Sequence, residues 1–437
     1  MEHRHAKVVV IGAGPAGLAA AARAGEHGCS VLVIDDNPDS GGQIWRGDHG
    51  LRARTWRARC AAAGVAFVHE TAVIGESAPG TLVAGRPRGP MRVRFERLVL
   101  ATGARELFLP FPGWTLPGVF GAGGLQALVK SGFDVRGMVI PVVGSGPLLP
   151  VIAAYLRGRG ARVPIVAEQA SAASMRGLAT GLLGAPAKLI QAIRLRAALW
   201  RTPYRTGYWP VQATGEDRVR EVKVSNGQRT LTIACDALAC GFGLVPNIHV
   251  ASTLGCHITE GRVDVSDLMR TSREGVFAAG EALGVGGVEC ALVEGEIAGL
   301  AAAGAEDEAA DLRGRRARAR AFAGALSDAF RLREELRRVV DDATVVCRCE
   351  DVRWGRVRAR SCWRDAKLQT RCGMGPCQGR VCGPAMAFLR GWRVGDSRPP
   401  VYPAGAKDLA VALGSAGASA APDERGLRER TNMEPER

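Results

Sequence analysis

The sequence has few residues of the kinds that build common hydrolytic sites. Its 437 residues include seven histidines, and these form no cluster with metal-ligand spacing. The sequence contains no HExxH motif, no recognisable Ser-His-Asp set and no carboxylate pair spaced for acid–base catalysis. These absences disfavour hydrolytic chemistry of those kinds.

Long uninterrupted apolar runs are also missing. The uncharged stretch Val8–Ala22 follows a basic start and imitates a signal peptide, but GAGPAG in its middle predicts a strand, a turn and a helix. A second uncharged stretch, Gly137–Leu156, has the length of a membrane span but is broken by Pro141, Gly144, Gly146, Pro147 and Pro150. We therefore expect a cytoplasmic protein of bacterial type with no transmembrane segment.

Arginine supplies most of the formal net charge of +15. In Arg313–Arg338, apolar residues recur at helical spacing between the charges. This pattern predicts a helix with a solvated arginine face, or one that docks on an acidic partner. A redox-responsive regulator that binds nucleic acid is a weaker hypothesis, because only the net charge supports it, and we predict no nucleic-acid partner.

Residues 7–36 predict a first dinucleotide-binding unit, with GxGxxG between an apolar strand, Val8–Ile11, and an alanine-rich helix. Its glycines permit a tight turn, the approach of a pyrophosphate and close helix–strand packing, and the helix N-terminus offers free N–H groups to the phosphates. The second strand, Ser30–Ile34, ends at an acid that can bind a ribose hydroxyl. The candidate binding residues are Gly12, Gly14, Pro15, Ala16, Gly17, Asp35 and Asp36.

Residues 138–168 predict a second unit of the same kind. Gly144 and Gly146 are in place with Ser145 between them, but the third glycine position is Leu149. A leucine there is expected to push the helix away from the strand and to reshape the phosphate loop. Two interpretations stay open: the site has lost NAD(P)H binding, or it still holds a nicotinamide or another adenine nucleotide.

Twelve cysteines are sparse through the first 340 residues and dense afterwards, which favours a metal site over a disulfide framework. Cys347 and Cys349 form a C-x-C pair, and Cys377 and Cys382 form a C-x4-C pair in a glycine-rich loop. Four thiolates can hold an iron–sulfur cluster or a structural zinc ion. The C-x-C pair and the redox setting favour iron–sulfur.

Four other cysteines are interpreted as small buried side chains: Cys235, Cys240, Cys362 and Cys372. Cys372 is also the alternative to Cys377 as a ligand. Cys235 and Cys240 have C-x4-C spacing but lie where a predicted strand runs into a loop. No redox-active cysteine pair is therefore expected beside the first nucleotide site, and electrons that arrive there must leave by another route.

Three segments extend the first unit: GGQI at 41–44, LVLATGARE at 98–106 and TSREGVFAAGE at 271–281. With the first glycine loop, they resemble the flavoprotein family with two dinucleotide-binding domains that includes the glutathione reductase-like enzymes. The resemblance implies FAD in the first site, with Glu281 in place of the usual aspartate near the ribityl or phosphate region. The further FAD-lining residues that it implies are Gly42, Gln43, Ala101, Thr102, Gly103, Gly280 and Glu281.

CRCEDV at 347–352 and RCGMGPCQGRVC at 371–382 resemble the bacterioferritin-associated-ferredoxin-like [2Fe-2S] domain. That resemblance implies Cys347, Cys349, Cys377 and Cys382 as the cluster ligands. The order of all these segments, with PFPGW at 110–114, LPGVFGAGGLQ at 116–126 and RPPVYP at 398–403, is similar to the FAD- and [2Fe-2S]-containing subunit of flavin-dependent opine oxidases, hydroxyproline and proline dehydrogenases and hydrogen cyanide synthase.

The second resemblance implies an electron-transferring subunit whose substrate site lies in an amino-acid-oxidase-like flavoprotein partner. It leaves open a small ferredoxin-like third subunit, an FMN at the partner interface and peripheral association with the inner membrane. It leaves the catalytic residues unknown and the substrate open among an opine, hydroxyproline, proline and glycine. The alternative function is a self-sufficient NAD(P)H-dependent flavin oxidoreductase.

The expected fold class is α/β, with two Rossmann-like dinucleotide-binding domains and a small helical C-terminal [2Fe-2S] domain. We expect the FAD domain at 1–115 and 245–310, the second nucleotide domain at 116–244, an arginine-rich helical linker at 311–340, the cluster domain at 341–403 and a disordered tail at 404–437.

Overall fold

The structure is a computed structural model that describes residues 1–47, 50–181, 186–394 and 397–413. Its strands are β1 (Glu2–Ile11), β2 (Val31–Ile34), β3 (Ala66–Val68), β4 (Ala72–Ala78), β5 (Thr81–Gly85), β6 (Met91–Leu100), β7 (Ala104–Glu106), β8 (Val119–Gly121), β9 (Val142–Gly144), β10 (Val166–Glu168), β11 (Tyr204–Thr206), β12 (Trp209–Thr214), β13 (Glu221–Ser225), β14 (Thr230–Ala234), β15 (Leu238–Gly241), β16 (Leu244–Pro246), β17 (Ile258–Thr259), β18 (Arg262–Val263), β19 (Val276–Ala278), β20 (Val345–Cys347) and β21 (Val352–Arg353). Its helices are α1 (Pro15–Glu26), α2 (Leu51–Ala62), α3 (Ala122–Lys130), α4 (Leu148–Gly158), α5 (Ala172–Gly181), α6 (Pro186–Ala198), α7 (His249–Thr253), α8 (Gly287–Ala303), α9 (Glu306–Asp311), α10 (Arg313–Ala329), α11 (Trp354–Val357), α12 (Trp363–Thr370), α13 (Cys382–Arg390) and α14 (Ala406–Leu413). Within these ranges, no helix is both long and apolar enough to cross a bilayer.

The first domain is built on a seven-stranded sheet of order β3-β2-β1-β6-β5-β4, with β19 also paired to β6. The strands β1, β2, β3, β6 and β19 run parallel, and β4 and β5 join by antiparallel pairing. The run VVVI in β1 is buried, as a central parallel strand requires. β1 begins at Glu2, earlier than the predicted start at Val8, because its polar first half pairs with the first half of β6.

The second domain has a parallel sheet of order β11-β10-β9-β15-β8 and an antiparallel meander, β12-β13-β14. The chain passes between the two domains through β7 and β16, which pair with each other in antiparallel fashion. This two-stranded ribbon, residues 104–106 and 244–246, is called the hinge below. The observed architecture confirms the predicted α/β class with two dinucleotide-binding folds.

Helix α10 brings the arginine-rich segment against the first domain. Arg320 Nε lies 2.7 Å and Arg316 Nε 3.2 Å from Glu294 Oε1 of α8, and Arg315 Nη2 lies 3.4 Å from Glu296 Oε1. The acidic partner considered for this helix is therefore the chain's own α8. The helix ends at Ala329, well before the predicted Arg338, and the remaining residues form a connecting segment and a 3-10 turn at Glu334–Arg338.

The C-terminal residues form a small domain from β20, β21 and helices α11 to α13. Its apolar side chains belong to one core with those of the second domain, and Trp114 Nε1 donates to the Val345 carbonyl at 2.5 Å. Helix α14 lies against β4 and β5, inside the stretch 404–437 for which a disordered tail was predicted. The rest of that prediction, 414–437, lies outside the described residues.

Helices α1 and α8 pack with their backbones in contact. A Cβ on Gly295 would lie 2.2 Å from the Ala16 carbonyl oxygen, and one on Gly299 would lie 2.2 Å from the Ala20 carbonyl oxygen. Any side chain at these positions would force the helices apart. Because Ala16 is in the first turn of α1, this packing also fixes the glycine loop that precedes α1.

We expect Gly295→Ala to reduce the free energy of unfolding by about 2 kcal/mol or more and to weaken FAD retention, since overpacking at backbone contact displaces α1. Gly324→Ala on α10 is the matched control, because its new methyl group would meet no atom within 4 Å. Thermal unfolding and flavin content of both variants measure the effect. Equal stability of the two variants would contradict this account of the helix contact.

Candidate functional site

The first glycine loop is closed on all sides by backbone. Gly12 has φ +103°, and a Cβ there would lie 2.2 Å from the Ala101 carbonyl oxygen. A Cβ on Gly17 would lie 1.7 Å from the Gly12 carbonyl oxygen. Gly14 is the N-cap of α1 and Pro15 its first residue, so the helix N-terminus is presented at the loop.

Asp35 holds the loop from the end of β2. Its Oδ2 accepts the Ala13 N–H at 2.5 Å, and its Oδ1 accepts the Asn37 N–H at 2.8 Å. The Gly41 N–H donates to the Ala13 carbonyl at 2.7 Å, and a Cβ on Gly42 would lie 2.9 Å from the Gly14 Cα. The GGQI turn therefore lies directly on the glycine loop, as its implied role requires.

Glu281 reaches the same loop from the opposite side. It lies in the 3-10 turn Gly280–Leu283, and a Cβ on Gly280 would lie 2.8 Å from the Ala16 Cβ. The Gly280 N–H donates to the buried Glu294 at 3.1 Å, which is the carboxylate paired with the arginines of α10. Burial raises the pKa of Glu281, opposed by a hydrogen bond from the Gly287 N–H and by the charge of Arg320.

The ATG segment completes the first site. Ala101 contacts Gly12, and the Thr102 hydroxyl donates to the Asn247 carbonyl at 2.6 Å, which ties this segment to the return strand of the hinge. The structure thus brings Gly12–Gly17, Asp35, Gly42, Ala101, Gly280 and Glu281 to one place. By contrast, Asp36 and Gln43 are exposed. The gathered residues fit a dinucleotide, with its pyrophosphate at the α1 N-terminus and a ribose at Asp35.

Two arginines that no sequence motif indicated connect the first domain with the cysteine loop. Arg105, on the hinge, donates through Nε to the Arg380 carbonyl at 2.9 Å and through Nη1 to the Asn247 Oδ1 at 2.9 Å. Arg380 lies between Cys377 and Cys382, with its guanidinium 4.3 Å from the centre of the Tyr402 ring. Only the position of Arg105 directly after the ATGA segment pointed to it.

The two arginines change the protonation of their surroundings. Burial, with the nearby charge of Arg380, lowers the pKa of Arg105 to about 10. Burial, with the charges of Arg105 and Arg380, lowers the pKa of His249 to about 4, so this histidine is neutral at pH 7. The junction between hinge and cysteine loop therefore carries its positive charge on the arginines.

The cysteines converge in two adjacent sets. The Sγ atoms of Cys347, Cys372 and Cys382 all lie within 4.8 Å of one another and are buried. Cys349 and Cys377, both more exposed, are within hydrogen-bonding distance of each other. Each predicted thiol pair is thus split, with one member in each set.

This arrangement suits a two-iron cluster, because each iron needs two thiolates and the sets provide Cys347 with Cys382 and Cys349 with Cys377. Cys372 is buried, as predicted, but it lies within the first set and not apart from it. Cys362 is exposed, so its interpretation as a buried side chain was wrong. Its sulfur accepts the Asp365 N–H at 3.5 Å and caps α12, a role that its position before the helix explains.

The second glycine loop keeps its turn but not its third glycine. Gly144 has φ +132°, and a Cβ there would lie 1.8 Å from the Gly241 carbonyl oxygen. Leu149 is buried, and its Cδ2 lies 3.3 Å from the place where a Cβ on Gly241 would be, so this strand glycine makes room for it. Helix α4 begins at Leu148, whereas α1 begins at Pro15, directly after its second glycine.

Glu168 occupies the strand-end acid position of the second fold. Its carboxylate accepts the N–H groups of Gly146 and Ala170, each at 2.8 Å. Burial raises its pKa to about 7, opposed by these hydrogen bonds. Cys235 and Cys240 are buried in the core of this domain, as predicted, and burial raises the pKa of both thiols, which keeps them protonated.

Fold and site together define an oxidoreductase of the flavoprotein class with two dinucleotide-binding domains. The chain belongs to the pyridine nucleotide-disulphide oxidoreductase family, whose profile matches residues 6–303. Membership in this family implies FAD binding, and the first glycine loop is the site that fits it.

Individual relatives extend the match beyond the family profile. The chain is 33% identical to the A-type component of opine oxidase from Rhizobium meliloti (strain 1021), over 90% of this chain and 96% of the relative. It is 30% identical to the HcnB component of hydrogen cyanide synthase from Pseudomonas aeruginosa, over 86% of this chain and 90% of the relative. These relatives confirm the resemblance inferred from the motifs.

Solved structures show the same fold. L-proline dehydrogenase from P. horikoshii superposes with a TM-score of 0.65 at 19% identity, covering 93% of this chain and 80% of that one. Thioredoxin reductase from T. acidophilum superposes with a TM-score of 0.54 at 20% identity, covering 70% of this chain and 99% of that one.

Replacing Cys347, Cys349, Cys377 or Cys382 with serine should each remove cluster iron, because each change takes away one of four thiolates. Cys372→Ser should retain iron, since the other four cysteines supply two thiolates to each iron. Iron, sulfide and FAD per chain measure the outcome, and Cys362→Ser is the control within the same domain. FAD should survive every change, because the first domain has a separate core.

Loss of iron in Cys372→Ser with retention in Cys377→Ser would show that the buried set supplies three ligands. Zinc without sulfide in the unmodified protein would contradict the iron–sulfur assignment.

Proposed function

We propose that the chain is the electron-transferring subunit of a hetero-oligomeric, flavin-dependent amine dehydrogenase that oxidises a CH–NH bond. In this proposal, the amine is an opine or an amino acid such as D-hydroxyproline or proline, and its site lies in an amino-acid-oxidase-like partner. The complex is expected in the cytoplasm. The resident groups are FAD in the first nucleotide site and a [2Fe-2S] cluster on Cys347, Cys349, Cys377 and Cys382.

The relatives support the need for a partner. The opine oxidase and hydrogen cyanide synthase relatives are each named as one subunit of their enzyme. The same holds for the alpha chain of sarcosine oxidase from Corynebacterium, which is 28% identical over 41% of this chain. The chain spans nearly the whole length of the first two, so the likeness includes the cysteine domain as well as the nucleotide folds.

The contact between Arg105 and Arg380 is the observation that carries the proposal. It joins the segment that follows the ATG turn of the FAD site to the loop between Cys377 and Cys382. A flavin accepts two electrons as a hydride and an iron–sulfur cluster passes them singly, so neighbouring sites of both kinds convert one process into the other. The chain's own contribution is to hold the two sites in fixed proximity and to place two cationic side chains between them.

The test is amine oxidation with a dye as electron acceptor, measured for the chain alone, for the partner alone and for the complex. The partner is the amino-acid-oxidase-like protein that co-purifies with the chain from its source. We expect oxidation of an opine, proline or hydroxyproline by the complex and no more than trace activity of this chain alone, because its described residues present no substrate site of their own. Full amine oxidation by the chain alone would disprove the need for a partner.

The alternative, an NAD(P)H-dependent flavin oxidoreductase, is favoured by the retained Gly144 and Gly146 turn. It is tested in the same preparation by adding NADH or NADPH under anaerobic conditions. We expect the flavin absorbance to persist over the time in which the amine bleaches it in the complex. Rapid bleaching by either nucleotide would support the alternative.

A further inference from the structure

The segment between α10 and the cysteine domain lies on the second glycine loop. The Phe330 carbonyl accepts the hydroxyl hydrogen of Ser145 at 3.1 Å, and Ser145 is the residue between Gly144 and Gly146. The Arg331 carbonyl accepts from Gln169 Nε2 at 3.2 Å. Residues 330–333, called the linker below, thus contact the loop and the end of β10 together.

Gln169 recognises the linker through its whole amide. This side chain is fully buried, and its Nε2 also donates to Ser145 Oγ at 2.9 Å. Its Oε1 accepts the Arg333 N–H at 3.1 Å, while Arg333 Nη1 donates to the Gln169 carbonyl at 3.4 Å. A buried amide is costly unless its donors and acceptor are all used, and here the linker backbone uses them.

The linker lies where this fold holds the adenosine half of a dinucleotide. In such a domain, the pyrophosphate lies at the glycine loop and the ribose at the acid that ends the second strand. Ser145 belongs to that loop, and Gln169 directly follows Glu168, the acid in question. A nucleotide could bind there only after the linker had left.

Both ends of the linker are anchored. On one side, α10 is paired with the buried Glu294 through Arg316 and Arg320. On the other side, Leu336 is buried in the core that the second domain shares with the cysteine domain. Between them, the Arg333 guanidinium lies 4.8 Å from the centre of the Trp209 ring. The linker is therefore held as a fixed part of the fold and not as a free end.

We propose that the second nucleotide fold binds the chain's own linker in place of NAD(P)H, with Gln169 as the residue that recognises it, and so fixes where the cysteine domain begins. The site is thereby closed to dinucleotides whatever their affinity for the loop alone. This role is independent of the proposed amine oxidation, because it concerns only which ligand the loop holds.

The test is amide hydrogen exchange of the FAD-loaded full chain, followed by mass spectrometry of peptides containing Arg333. In Gln169→Ala, the Arg333 N–H loses its acceptor, and we expect its exchange to become at least about tenfold faster. Gln191→Ala, on the exposed surface of α6, is the matched control and should leave the exchange unchanged. The milder Ser145→Ala, which removes only the bond to Phe330, should give a smaller increase.

Millimolar NADH, NADPH and ADP are then added separately to the unmodified, FAD-loaded chain, where they should leave linker exchange and the melting temperature unchanged. Faster linker exchange with any of them would overturn the proposal, because it would show a nucleotide displacing the linker. Unchanged exchange in both Gln169→Ala and Ser145→Ala would also overturn it. If Gln169→Ala does not fold, Ser145→Ala and the nucleotide additions decide the matter.

Discussion

The apolar core shared by the second nucleotide domain and the cysteine domain is the constraint on which the rest of the site depends. Trp209, Val222 and Val224 of the meander belong to one core with Val346 and Trp363 of the cysteine domain. Separating the two domains would expose this apolar surface to water. The cysteine loop is consequently held against the hinge, where Arg105 meets it.

The second nucleotide domain thus serves the architecture in a way that differs from the first. In the first domain, the glycine loop, Asp35 and Glu281 are arranged around space for a ligand. In the second, the corresponding loop is in contact with Phe330 and Arg331 of the same chain. A fold built for two nucleotides can in this way retain one site for a cofactor and use the other to position a further domain.

The local part of the site could be predicted from the sequence because its signals are close together in the chain. Gly12, Gly14 and Gly17 have a fixed spacing whose steric basis the structure displays as contacts with Ala101 and with Gly12 itself. The arginines that join distant segments had no such signal. Arg105 and Arg380 are separated by 275 residues, and their contact exists only once both domains have folded.

The same reasoning explains the partial failures. The helical spacing of the arginine-rich segment continues to Arg338, but the helix ends at Ala329 because the linker bonds to Ser145 and Gln169. Leu149 was expected to displace α4, and no local pattern announced that Gly241, on another strand, would make room for it. Tertiary contacts outweigh local preference at both places.

The most direct test of the account is the rate at which the cluster is reduced after amine is added to the complex, followed by rapid freezing and electron paramagnetic resonance. Arg105→Gln removes the bond from the hinge to the cysteine loop, and Arg97→Gln, at an exposed position of β6, is the control. The account predicts slower cluster reduction in Arg105→Gln alone, with iron and FAD contents equal to those of the unmodified protein. The same rate in both variants and in the unmodified protein would contradict a transfer route through this junction.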